Sequence, residues 1–482
     1  MSSATRAGAT AAGAGDPTPL QQLAAFAAAT RSTGLPSELV DDVKRRVLDV
    51  VGNSLGATGY EPARIALAVA TAWGGAERAT AIGSGARFPA AAAALVNGTL
   101  AHTLDFDDTH LPSVLHPSAS VIPAALAVAE AEGRSGMEAI VAIAVGNEIN
   151  VRLGSAGFDA ESNVNLFFEH GLHATSICGA LAAAATAATL MGLDADGIGH
   201  AIAIACSMGA GLLEANRTGG TVKRIHCGWA AHSGIAAAEL ARAGLTGPLT
   251  VMEGRFGFLQ ATCGDRADIG WLTRGLGSEW ELPKIGFKPY PCNHFTHPGI
   301  DAALQLRAAG LRPEEIESIV LGAPTSVLRT IGEPAEEKAR PQSGYHAQFS
   351  GPFTVAAALV GGGGLGLYLD DFTDELARDP LRLSLAAKVR CVPDEECDRL
   401  FPHSFPARLT VKTTDGTVRE AFVGSSRGGL ESPLSDDELG LTFELNAGRS
   451  LPREQVEALR EAVAGLDRQA GLDQLVRLSV VP

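Results

Sequence analysis

Aromatic residues are scarce in this sequence, at 5% of its 482 positions. A core with few rings must be filled by small side chains. Ala and Gly are abundant, which favours closely packed helices over a β-sandwich. Paired cysteines are missing as well. Seven are scattered, at Cys178, Cys206, Cys227, Cys263, Cys292, Cys391 and Cys397, with no CxxC spacing. An odd, dispersed set excludes a disulfide framework and a zinc ribbon, and fits free thiols in a reducing cytosol. There is no basic excess: 38 Lys and Arg stand against 54 Asp and Glu, a net charge of −16. That balance counts against a nucleic-acid partner, whose phosphates need a basic surface. A few lysines focused in one place can still receive a small anion. Apolar runs such as Ala180 to Leu190 are too short for a membrane span. Met1 to Gly15 lacks the apolar core of a signal peptide. The expectation is a cytoplasmic protein without a membrane partner, with a loose tail over residues 1–18.

Several chemical signatures are absent too. There is no Gly-x-Ser-x-Gly elbow, no HExxH and no dinucleotide fingerprint following a strand. Gly361-Gly-Gly-Gly-Leu-Gly366 lacks the Lys-Ser/Thr of a phosphate loop and reads as a flexible joint.

What is present is helical first. Apolar residues at helical spacing mark Thr18 to Thr30, the stretch from Pro36, Pro62 to Trp73 and Ala90 to Thr103. They continue through Ser120 to Glu132, Gly136 to Leu153, His173 to Leu193, Asp194 to Ala210 and Gly228 to Ala243. Asn97-Gly98 falls inside one of these helices, where a Gly suggests close approach by another element. Strand-like alternation begins only after about residue 280. It marks Glu315 to Val327, Ala387 to Pro393, Ala407 to Thr413 and Val418 to Val423, the last two joined by the hairpin turn Asp415-Gly416. The fold class expected is mainly α with a smaller α+β domain. A large helical domain would cover 19–275, the α+β domain 276–400, and a segment over 401–482 would return to the first domain.

Chemistry concentrates in four stretches. His102-Thr-Leu-Asp-Phe-Asp-Asp-Thr-His110, followed by His116, combines three carboxylates with imidazoles. Such a set suits a metal site, acid–base work or a solvated helix end. Asp105 and Thr109 stand at i and i+4, sharing a face if the helix continues that far. His173 opens a helix. Lys223-Arg224-Ile-His226 directly precedes another, and a lysine at a helix start suits a carboxylate. The alternative for Lys223 and Arg224 is a pair of solvated loop charges. Lys288-Pro-Tyr-Pro-Cys-Asn-His-Phe-Thr-His297 lies at the domain junction, as a ligand loop or as a rigid linker.

Taken together, four segments resemble the MmgE/PrpD family. They are Asn97 through His110, His173-Ala-Thr-Ser-Ile-Cys-Gly179, Lys223 through Gly234, and Lys288-Pro-Tyr-Pro through His297. Leu245-Thr-Gly-Pro, Glu253-Gly-Arg-Phe-Gly-Phe258 and Arg427-Gly-Gly-Leu-Glu-Ser-Pro433 are also similar to that family. The resemblance runs from about residue 20 to 475. It implies a helical domain with an α+β lid, a homodimer, and no metal or organic cofactor. It also implies proton traffic beside a carboxylate of a small polycarboxylic acid, as in 2-methylcitrate dehydratases, cis-aconitate decarboxylases and iminodisuccinate epimerases.

Carried over by motif, Asp105, His116, His173 and Lys223 are the implied catalytic residues. Thr109, Arg224, Lys288 and His294 are the implied substrate-binding residues, and no metal ligands are implied. Asp107, Asp108 and His110 are expected to hold the turn in shape. The chain also departs from the pattern. One extra residue precedes His116. Asn293 stands where the decarboxylases carry a histidine. Their lid tyrosine has no counterpart, Ala335 being near its place. His294 replaces a frequent Arg, and Ala174 a frequent Pro. These departures count against a decarboxylase and suggest a pocket reshaped for a less usual acid. The leading expectation is a dehydratase, a lyase eliminating water from a small hydroxy polycarboxylic acid or a related hydroxy acid. Asp105 or His173 would take the proton, His116 would protonate the hydroxyl, and Lys223 and Lys288 would hold the carboxylate. An epimerase or a decarboxylase is the alternative within enzymes, and a non-catalytic carboxylate-binding protein is the alternative outside them.

Overall fold

Small residues set how closely the helices of this protein approach. In the computed structural model, which describes residues 15–215 and 220–482, nine long helices form the first part of the chain. They are α1 (Pro19–Thr33), α2 (Ser37–Gly56), α3 (Glu61–Trp73), α4 (Ala90–Thr103), α5 (Ser118–Glu132), α6 (Gly136–Ala156), α7 (Ala174–Leu190), α8 (Ala195–Cys206) and α9 (His226–Arg242). Most of the expected tail, residues 1–14, lies outside the described residues, as do residues 216–219. Among the described helices, α7 is buried along its whole length.

Glycine at the crossings explains how such a helix is surrounded on all sides. A Cβ on Gly98 of α4 would stand 2.7 Å from the Cα of Gly228 on α9. One on Gly234 of α9 would stand 2.6 Å from the Cβ of Ala183 on α7. One on Gly146 of α6 would meet Thr186 Oγ1 at 2.0 Å. The close approach expected at Asn97-Gly98 is therefore real, and α9 is the partner. Asn97 itself ties α4 to the preceding loop, accepting from the Ile82 N–H and donating to the Thr80 carbonyl.

The second part is α+β. It contains α10 (His297–Ala308), β1 (Ile316–Ala323), α11 (Gly351–Val360), β2 (Val389–Pro393), β3 (Ala407–Thr413) and β4 (Val418–Val423). The sheet order is β4-β3-β1-β2; β1 and β2 are parallel and the other pairs antiparallel. Ile300, Leu306, Phe353, Leu409 and Val411 share its core. The β3–β4 hairpin turns at Asp415-Gly416 as its sequence requires, with Gly416 at φ 88°.

Two expectations need correction. The boundary at residue 400 cuts this sheet in half, because β3 pairs with β1 and β4 with β3, which completes it. The run from Gly361 is not a free joint: Asp371 Oδ2 accepts the N–H groups of Gly363 and Tyr368. Beyond the sheet, α12 (Asp436–Ala447) and α13 (Arg453–Ala464) follow. Phe443, Val456 and Leu459 join the core of the first helices, so the C-terminal segment lies on the helical part. Among the described residues, no helix is long and apolar enough to cross a membrane.

Candidate active site

Three helix ends meet where the two cores adjoin. The close crossings of α4, α7 and α9 bring the end of the first to the starts of the other two. His102 lies in the last turn of α4, His173 caps the start of α7 and His226 opens α9. The centroid of the His173 ring is 5.7 Å from that of His102 and 4.9 Å from that of His226. His116 joins from the loop before α5, 5.7 Å from His102 between ring centroids.

The acidic stretch does not continue α4. The helix stops at Thr103, and Asp105 takes a left-handed backbone with φ 56°. That conformation costs an L residue on the order of 1–3 kcal/mol and is tolerated best by Asn and Asp. Asp105 and Thr109 therefore share no helix face, contrary to the i, i+4 expectation. Thr109 and His110 instead pair with Gly286 and Ile285 as a two-residue bridge. This bridge carries the second part of the chain to the first, and it leaves Lys288 beside Asp105. Lys288 Nζ donates to the Asp105 carbonyl at 2.8 Å and lies 3.7 Å from Asp105 Oδ1. Lys223 Nζ donates to the same Oδ1 at 3.0 Å. Asp105 Oδ2 is buried without a hydrogen-bond partner among the described residues.

The three aspartates divide their work. Asp108 pairs with the buried Arg46 at 3.2 Å and accepts the Ser118 N–H at the start of α5. His110 Nδ1 stands 2.7 Å from Ser113 Oγ. These two residues brace the turn as expected. Asp107 does not: its Oδ2 stands 2.7 Å from His102 Nδ1 and 3.9 Å from His116 Nδ1. His116 Nδ1 also donates to the Asp108 carbonyl at 2.7 Å and lies 3.1 Å from Thr109 Oγ1. A carbonyl only accepts, so Nδ1 carries the proton and Nε2 is left with a lone pair.

Two of the expected substrate-binding residues make their ring contacts with the second part of the chain. The Arg224 guanidinium stacks on the Tyr345 ring at 4.0 Å. Beside it, the Phe349 ring covers Lys223 Nζ at 5.3 Å. His294 is buried on the lid side, its ring 4.4 Å from that of His297 and 5.2 Å from that of Phe405. Its Nδ1 has no partner among the described residues. Asn293 is spent on structure: its Oδ1 accepts the Phe295 N–H.

Residues 21–269 match the model of the MmgE/PrpD N-terminal domain, and 290–468 that of the MmgE/PrpD C-terminal domain. The chain belongs to the MmgE/PrpD family. It is 30% identical to a cis-aconitate decarboxylase-like protein of Aspergillus oryzae, over 82% of this chain and 84% of that one. It is 29% identical to a cis-aconitate decarboxylase of Aspergillus terreus, over 83% of each chain. The human cis-aconitate decarboxylase is 30% identical, over 90% of this chain and 88% of its own.

In this MmgE/PrpD chain the charges are set by burial and by each other. Burial alone would raise the Asp105 carboxyl, but Lys223, Lys288 and His116 outweigh it and hold the group well below the usual carboxylate range. Burial would likewise lower the Lys223 ammonium, and Asp105 and Tyr345 overcome it. The imidazoles go the other way. Burial brings His116 down to about 4 against the pull of Asp107. Burial and then His226 push His173 well down, and burial with His102 and Lys223 brings His226 to about 4. At neutral pH the site thus offers the Lys223 ammonium, ionised carboxylates at Asp105 and Asp107, and neutral imidazoles at His116, His173 and His226, with Lys288 Nζ against Asp105.

Among the described residues, ligand atoms of His102, Asp107 and Cys227 lie within 4.8 Å of one another. Burial and then Asp107 push the Cys227 thiol well up. The His102–Asp107 hydrogen bond accounts for this grouping without an ion.

The sequence assigns no catalytic or binding role to His102, Arg46 or His226, and to Asp107 only the shaping of the turn. His226 lies three residues beyond Lys223 in a motif already recognised. His102 stands the same distance before Asp105. The local signal at Arg46 points to Asp42, at i and i+4, and not to this centre, since Asp108 is 62 positions away.

Proposed function

We propose that the protein is a lyase for a small hydroxy polycarboxylic acid, removing water by acid–base chemistry without a cofactor. The observation that carries this reading is the convergence of Lys223 and Lys288 on Asp105 beside His173 and His116. The lysine N–H groups not used on Asp105 are left for a carboxylate of the substrate. They also favour the negative charge that develops when a neighbouring carbon loses its proton.

Asp105, its Oδ1 facing both lysines, serves as their counter-ion and leaves that proton to another base. His173, neutral and buried, takes it. His116 is unsuited to the role of acid expected from its sequence position, because it rests neutral with its only proton on the Asp108 carbonyl. Its Nε2 lone pair instead accepts the substrate hydroxyl and orients it, with Thr109 steadying the ring. The acid for the departing hydroxide is then the imidazole that has just been protonated. General acid–base help of this kind is worth ~10²–10⁴-fold. The Tyr345–Phe349 edge of the lid closes over Lys223, excluding water.

Decarboxylation is the second reading, favoured by the names of the relatives. A homodimer is part of the proposal as well, with the exposed Ile65, Val69 and Trp73 of α3 as a candidate contact. Screening di- and tricarboxylates by thermal shift, then following each hit by proton NMR, tests the assignment. An alkene signal with loss of the hydroxyl supports elimination. Release of carbon dioxide supports the second reading. Binding with no chemical change to any acid contradicts both.

A further inference from the structure

His226 has no part in the scheme above, yet it is the hydrogen-bonding side chain nearest the ring of His173. The two Nδ1 atoms stand 2.9 Å apart. Both residues are buried, at 3% and 5% exposure. Two lone pairs repel at that distance and two N–H groups collide, so a single proton lies between the rings. The backbone fixes both partners. The His173 N–H donates to the Gly211 carbonyl at 3.0 Å, and the His226 carbonyl accepts from Ser176 Oγ at 3.1 Å. On the other side of His173 stands His102, its Nδ1 on Asp107 and its Nε2 buried without a partner among the described residues.

We propose that His226 is the proton partner of His173. It fixes the tautomer of the His173 ring and takes over the charge that ring acquires, so that one histidine serves first as base and then as acid. This inference rests on the acid–base reading of the site and deepens it. His226 acts through His173, so it is a positioning residue.

The steps balance. At rest His173 holds its proton on Nδ1 and donates it to His226 Nδ1, while His226 carries its own on Nε2. The His173 Nε2 lone pair accepts the proton from the substrate carbon. The electron pair of that C–H bond stays on the carbon, spread towards the carboxylate between the lysines. The shared proton crosses to His226 Nδ1, which leaves His173 neutral with N–H at Nε2 and His226 cationic. The pair held on that carbon then forms the C=C bond as the neighbouring C–O bond breaks, and the C–O electron pair leaves with hydroxide. Hydroxide takes the His173 Nε2 proton to become water, and the shared proton returns from His226 Nδ1 to His173 Nδ1. The surroundings oppose a lasting cation: burial, His102 and Lys223 all disfavour charge on His226. It therefore holds the proton only in passing.

The test uses the full chain with His226→Gln and His226→Phe, and two readouts. The first needs no substrate. Nitrogen-15 NMR of labelled histidine in the resting protein should show His173 with its proton on Nδ1, in a strong hydrogen bond. In His226→Phe that proton should move to Nε2 or spread over both nitrogens. The second is kinetic, on whichever acid the wild type turns over. His226→Phe should lower kcat by about 10²-fold or more with little change in KM, on the scale of one lost acid–base group. His226→Gln keeps a hydrogen-bonding group but accepts no proton, so it should also lose kcat and shift the pH profile. If Gln restores both kcat and the profile, the role is structural and the proposal is overturned. An unchanged His173 tautomer in His226→Phe overturns it as well. A shared proton in a protein that turns over no acid upholds the pairing and overturns its part in turnover.

Discussion

Lys288 holds Asp105 by its backbone: Nζ donates to the Asp105 carbonyl at 2.8 Å and lies 3.7 Å from the carboxylate. The lysine arrives from the second part of the chain and the aspartate from the first, so substrate charge and fold closure meet at one atom pair. Lys288→Met and Lys223→Met should each lower kcat/KM by roughly 10²–10³-fold, the scale of a lost electrostatic stabiliser. Circular dichroism should show both variants folded, because the remaining lysine still pairs with Asp105. Wild-type turnover in either variant would remove the lysines from the mechanism.

Arg46 is the counter-ion of Asp108, and both side chains are almost wholly buried. Its guanidinium also donates to the carbonyls of Leu282 and Ile285, tying α2 to the bridge that delivers Lys288. Arg46→Met should cost about 3–5 kcal/mol, because it leaves a buried carboxylate uncompensated. Urea denaturation measures the loss. Asp108→Asn, which keeps a polar partner, should cost less.

Gly98→Ala should destabilise by about 1–3 kcal/mol, the usual cost of overpacking. Its new methyl would meet the backbone of Gly228, which cannot give way without moving α9. Activity should fall further than stability alone explains, since α4 and α9 carry His102 and His226. Gly59, with open space around it, is the control: Gly59→Ala should stay within about 0.5 kcal/mol.

The buried histidines predict acid lability. Burial holds His116 and His226 at about 4, and His110 and His297 at about 3. In the unfolded chain each titrates near 6.5. Between these values the unfolded state binds more protons, so stability is complete above about pH 6.5 and falls as the pH drops towards 4. Tm should decline over that interval. His110→Gln should lower the proton uptake on unfolding at pH 5 by about one.

The helical half of the fold was legible because buried Ala-rich helices keep their period, and the β3–β4 hairpin because Asp-Gly dictates its turn. Asp105, His173, Lys223 and Lys288 were legible through their motifs, and the structure brings these four together. The rest depended on contacts distant in sequence. A two-residue bridge between Thr109-His110 and Ile285-Gly286 has no periodicity to detect, yet it decides that Asp105 leaves the helix. The sheet runs past residue 400 because β3 pairs with β1, almost a hundred positions earlier. The α12 helix could have been found from its capping box, Ser435 with Glu438. The tautomer of His116 follows from a backbone carbonyl and from no residue type at all.

The most direct test of the account is proton exchange at carbon. The wild-type protein and Lys223→Met are incubated in D2O with hydroxy di- and tricarboxylic acids and with cis-aconitate, and proton NMR follows the positions beside each carboxylate. The account predicts that at least one acid loses its carbon-bound proton signal or gains an alkene signal with the wild type. The same change should be slower by roughly 10²-fold or more with Lys223→Met. Equal rates in the two proteins, or no change with any acid, would contradict it.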